Sequence, residues 1–124
     1  MGQTGHMTEH SHDHGRGVLE QLAGEGRELR ALIPDVYAGF GELHKAAMAE
    51  GSLDKKTKEL MAFAVAIALR CDGCIASHAR GAAINGATEQ EAAEAIGVAL
   101  LMSGGPGTVY GPRALAAFKD FQKK

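Results

Sequence analysis

Two cysteines two residues apart, Cys71-Asp72-Gly73-Cys74, are followed four positions later by His78. Thiols at this spacing can close a disulfide where a helix begins. The free N–H groups and dipole of a helix N-terminus also favour thiolate over thiol. The pattern predicts a helix over Ile75–Asn85, which sets Cys74 at such an end. His78 then lies one turn past Cys74 on the same face. An imidazole there can take the thiol proton, directly or through a water. Glu59 precedes Cys71 by twelve residues and opens the apolar run Leu60–Leu69. A carboxylate is costly there without a partner. Aimed at His78, it would orient the base and stabilise its protonated form. These four side chains together describe a dithiol redox centre.

A lone C-x-x-C is also half of a zinc site. The second half is missing, and four ligands could be assembled only by recruiting His10, His12 or His14 from the N-terminal tail. No metal ligand is therefore assigned. The Met residues read as gap fillers, and Lys55, Lys56 and Lys58 as a solvated helix start.

The elements that must position this set are all helices. Val18, Leu19, Leu22, Leu29 and Leu32 recur at roughly helical spacing up to Pro34. Asp35–Glu50 carries Val36, Tyr37, Phe40, Leu43, Ala47 and Met48 on one face. Asp54 caps a helix through Lys55–Arg70. Asn85-Gly86 stops the helix that follows the cysteines. Thr88 and Glu91 form a capping box for the next helix, to about Met102. Ser103–Gly107 reads as a turn, and Pro112 as the start of a last amphipathic helix ending near Gln122. No segment alternates with period two over strand length. The fold class is all-α, a single-domain bundle of about five to six helices.

The 124 residues suit one domain. Hydrophobic residues make up 45% and charged residues 23%, and the formal net charge of −2 gives no reason to expect nucleic acid or an anionic membrane as partner. The longest apolar run, Leu60–Leu69, rises only about 15 Å as a helix, about half of a bilayer core. Residues 1–16 are rich in Gly, His, Ser and Thr and read as a disordered leader, partly a cloning remnant, ahead of a domain over 17–124. No signal peptide is visible, so a reducing cytoplasmic location is expected, where paired cysteines are catalytic or metal-binding more often than structural. Aromatics are sparse at 5% and Trp is absent. A core of small side chains buries little area per residue, and association with further copies of the chain is expected.

The set Glu59, Cys71-x-x-Cys74 and His78 resembles the active-site motif of alkylhydroperoxidase D-like proteins of the carboxymuconolactone decarboxylase superfamily. The resemblance covers about Ile33–Phe121 and includes Leu53–Leu60, Cys71–Ile75, Asn85–Thr88 and Glu94–Ala99. It implies an all-helical fold and assembly as a homotrimer or homohexamer. It also implies a thiol-dependent peroxidase or disulfide reductase with no cofactor beyond a redox-active Cys71–Cys74 disulfide. In that scheme Cys74 attacks a hydroperoxide or disulfide substrate, Cys71 resolves the product, and His78 and Glu59 relay the proton. An external dithiol then reduces the disulfide. Well-studied relatives carry a histidine just before the second cysteine, where this sequence has Gly73. Its absence removes one element of the proton relay and leaves dithiol exchange untouched. Two alternatives share the fold: a cofactor-free decarboxylase, a branch that typically lacks the cysteine pair, and a non-enzymatic redox-sensing or metal-binding module.

Overall fold

The computed structural model describes residues 13–123. They form six helices: α1 (Arg16–Leu32), α2 (Pro34–Met48), α3 (Lys55–Leu69), α4 (Asp72–Ile84), α5 (Glu89–Ser103) and α6 (Gly105–Gln122). The all-α expectation holds.

Local chemistry sets most of the boundaries. The Asp54 carboxylate accepts the Thr57 N–H at 2.8 Å and caps α3. At the start of α5 the Thr88 hydroxyl accepts from Glu91 N–H at 3.0 Å, and the Glu91 carboxylate accepts from Thr88 N–H at 2.9 Å. This is the reciprocal box expected from T-x-x-E. Asn85 caps the end of α4, and Gly86 follows at φ +86°.

The join between α3 and α4 differs from expectation. Arg70 takes the left-handed conformation at φ 58°, and among the described residues it is the one non-glycine with positive φ. Its N–H reaches the Ile67 carbonyl at 3.0 Å while the Cys71 N–H reaches Ala66 at 3.2 Å. This pair of bonds is the Schellman reversal. It turns the chain so sharply that α4 begins at Asp72 rather than Ile75, with Cys71 as its N-cap. The C-x-x-C segment is thus the first turn of the helix and not a break before it. A second correction concerns α6, which starts at Gly105, directly after Gly104 at φ +69°, and runs through Pro112. Pro112 removes the N–H that would reach Thr108, but both residues are exposed, so water can satisfy the freed carbonyl.

Helices α3–α6 form the core, with α3 packed on α4 and α5, and α6 packed on the same two from the other side. Phe63, Ile67 and Phe118 are its largest fully buried side chains. Ala76, Ala79, Ala82, Ala92, Ala114 and Ala117 fill the space between the helices at 0% exposure. Small side chains at these positions let the helix backbones approach closely. Helix α1 lies on α4 and α6, and α2 folds back toward α3. Neither α1 nor α2 contains a buried residue.

Residues 13–16, which composition assigns to the leader, are held against α6. Arg16 N–H donates to the Asp120 carboxylate at 2.9 Å, and its guanidinium lies 5.2 Å over the Phe121 ring. The rest of the expected leader, with His10 and His12, lies outside the described residues. Among the described residues no helix is long and apolar enough to cross a membrane.

Candidate active site

Glu59 sits on the face of α3 that enters the core, since Phe63, Ala66 and Ile67 follow it at four, seven and eight residues. That register carries a carboxylate toward α4. On α4, Ile75, Ala76, Ala79 and Ala82 are buried, and Cys74, His78 and Gly81 form an adjacent stripe at helical spacing. The two stripes meet at Glu59 and His78, where Oε1 and Nδ1 are 2.8 Å apart with side-chain exposures of 16% and 18%. With Nδ1 engaged by the carboxylate, Nε2 is the imidazole nitrogen left for other chemistry.

Cys71 and Cys74 form a disulfide with their Cα atoms 5.2 Å apart. The Cys71 sulfur also caps α4, accepting the Cys74 N–H at 3.2 Å. Cys71 is half-buried and Cys74 is exposed. The Asp72 carboxylate accepts the N–H of Gly73 at 2.7 Å, which keeps it at the turn.

One residue near the site has no counterpart in the sequence reading. The His44 ring of α2 stacks on His78 with centroids 6.2 Å apart and planes 17° apart. A signal for it does exist: His44 continues the stripe Val36, Phe40 at four-residue steps, an imidazole on an otherwise apolar line. His44 and Glu59 also share a groove of about 660 Å³ with Lys45, Met48, Lys55 and Asn85. Glu59 therefore lies between this groove and His78. Among the described residues no group of three or more His, Cys, Asp and Glu side chains is arranged to hold a metal ion.

The sequence pattern known as the carboxymuconolactone decarboxylase family matches residues 34–120. The chain belongs to the carboxymuconolactone decarboxylase family. Membership carries with it the alkylhydroperoxidase D-like superfamily. A family protein of Legionella pneumophila, solved in its apo form, is 39% identical with a TM-score of 0.83, and the match covers 86% of this chain and 96% of that one. A Thermotoga maritima structure, described as a "carboxymuconolactone decarboxylase family protein possibly involved in antioxidative response", is 30% identical with a TM-score of 0.72, over 83% and 91% of the two chains. A protein of the cox locus of Paracoccus denitrificans, itself uncharacterised, is 39% identical over 97 residues, which is 78% of this chain and 85% of the relative.

Within this carboxymuconolactone decarboxylase family chain, Gly73 has a steric reason. A Cβ at position 73 would lie 2.5 Å from Cδ1 of Leu22 on α1. The end of the Leu22 side chain therefore occupies the space that a side chain at position 73 would enter.

Proposed function

We propose that the protein is a thiol-dependent antioxidant oxidoreductase, a peroxidase or disulfide reductase, working through Cys71 and Cys74 with His78 and Glu59 as proton relay. The observation that carries the reading is the cysteine pair in the first turn of α4 with a carboxylate-held imidazole one turn further along. The antioxidative response suggested for the Thermotoga maritima relative agrees with it.

In the reduced enzyme the Cys74 thiol passes its proton to His78, whose charge Glu59 stabilises. The thiolate attacks the terminal oxygen of a hydroperoxide. The O–O bond breaks, the alkoxide takes a proton to leave as an alcohol, and Cys74 becomes a sulfenic acid. Cys71 attacks that sulfur, water leaves, and the disulfide forms. An external dithiol then attacks the disulfide, and two exchange steps return both protein thiols while the dithiol is oxidised to its own disulfide. No cofactor enters this cycle. With Gly73 beside Cys74, the relay rests on His78, and dithiol exchange does not depend on a second histidine.

The reading extends to assembly as a homotrimer or homohexamer. Val36, Phe40 and Leu43 of α2 are each 64% exposed, and Leu101 and Met102 of α5 are 81% and 77% exposed. Apolar surface of this extent suits contact with other copies of the chain. Light scattering on the purified protein tests it, and a monomeric mass would refute it.

The test of the chemistry is mass spectrometry of thiol states after a limiting dose of peroxide. Reduced wild type should lose peroxide and gain the Cys71–Cys74 disulfide. Cys74→Ser should do neither, and Cys71→Ser should stop at a sulfenic acid on Cys74. Unchanged peroxide consumption by Cys74→Ser would sink the proposal.

A further inference from the structure

Helical glycines are common in this chain, and most need no special reason. Gly26, Gly39, Gly41 and Gly97 would each accept a Cβ into open space. Gly81 is different. It lies in the third turn of α4, where an alanine would favour the helix more, and its φ is not positive. Its own backbone therefore admits any side chain. A Cβ there would overlap the carboxyl carbon and both carboxylate oxygens of Glu59.

We infer that Gly81 is a positioning residue: its bare α-carbon is the seat that lets the Glu59 carboxylate reach Nδ1 of His78. Three features bear on this. The carboxylate rests on Gly81 and bonds the imidazole one turn back on the same helix. The carbonyl of Gly81 accepts from the Asn85 side chain at 2.8 Å, so the seat is itself braced. The groove shared with His44, Lys45, Lys55 and Asn85 opens beside Glu59. A side chain at 81 would push the carboxylate into that groove and off the imidazole. Because the group displaced is the free end of a flexible side chain, the fold would absorb the change while the relay would not. Gly81 acts only through Glu59 and touches no reactant. The inference rests on the proposed relay for its consequence in activity, but its structural half stands apart from that reading.

The experiment compares wild type, Gly81→Ala, Glu59→Ala and the double variant. Two readouts are taken: the imidazole 15N shifts of His78, which report which nitrogen carries the proton, and the rate of disulfide reduction by dithiothreitol. In wild type the His78 proton should reside on Nδ1. Gly81→Ala should melt no lower than wild type, lose that tautomer preference as Glu59→Ala does, and slow exchange by the same factor, about 10–100-fold. In the double variant the alanine meets no carboxylate. It should therefore fold and match Glu59→Ala in both readouts. His78 shifts unchanged by Gly81→Ala would overturn the inference. So would a double variant that unfolds or reacts more slowly than Glu59→Ala. Shifts that move while exchange stays at the wild-type rate would support the seat and refute the relay instead.

Discussion

Oε1 of Glu59 and Nδ1 of His78 lie 2.8 Å apart, so one contact ties α3 to α4 one turn beyond Cys74. The pair predicts a graded response to substitution. His78→Ala removes the base and should lower the rate of thiol oxidation by about 10²–10⁴-fold. Glu59→Gln keeps a hydrogen-bond acceptor for the imidazole but loses the charge that stabilises its protonated form, so its loss should be smaller. Stopped-flow oxidation of the reduced protein measures both, and a Glu59→Gln loss equal to or above that of His78→Ala would contradict the assigned order.

The start of α5 makes a prediction about acid. The Thr88 N–H, and after it the Lys56 ammonium at 2.9 Å, hold the Glu91 carboxyl below its ordinary value of 4.5. A carboxyl depressed in the folded state adds stability that is fully present above its unfolded value. That stability is lost as the pH falls through the folded one. Wild type should therefore exceed Glu91→Gln in thermal midpoint at neutral pH, and the gap should close progressively below about 4.5. A gap that widened in acid would contradict the capping assignment.

Arg70 predicts a gain. A non-glycine residue in the left-handed region costs about 1–2 kcal/mol, and glycine returns part of that through its larger unfolded-state entropy. Arg70→Gly should raise stability by about 0.5–1 kcal/mol, read as a higher urea midpoint at unchanged slope. A lower midpoint would mean that the Arg70 side chain contributes more than its backbone conformation costs.

Leu22 and Gly73 should behave as one unit. Gly73→His alone must turn the exposed end of the Leu22 side chain aside from its place on α4 and should lower the melting temperature slightly. Leu22→Ala clears the space, so the double variant should be more stable than the sum of the single effects predicts. Additive losses would show that Leu22 is not what excludes a side chain at 73.

The helices and most of their caps were legible because their chemistry is local. Asp54, Thr88 with Glu91, and Asn85-Gly86 each act within four residues, and sequence displays such neighbours directly. The start of α4 was not legible. The reversal before it uses Arg70 where a glycine would have announced a left-handed residue. The true start of α6 was hidden for a related reason: Pro106 reads as part of a turn and Pro112 as a helix start, yet each tolerates helix where its missing N–H is unneeded or would face water. The meeting of Glu59 with His78 could be anticipated from helical register across one short hairpin. The approach of His44 to His78 could not: its place on the apolar line of α2 is written along the chain, but the angle at which α2 returns is not.

Helix α2 brings His44 to the site yet contains no buried residue of its own. In an isolated chain its amides should exchange with deuterium well before those of α3–α6, whose small-residue core opens only with the whole fold. Local opening would carry His44 away while Glu59, His78 and the cysteines stayed in place. The site thus has a persistent part and a part that comes and goes, and subunit contacts over α2 would set how long the second is present.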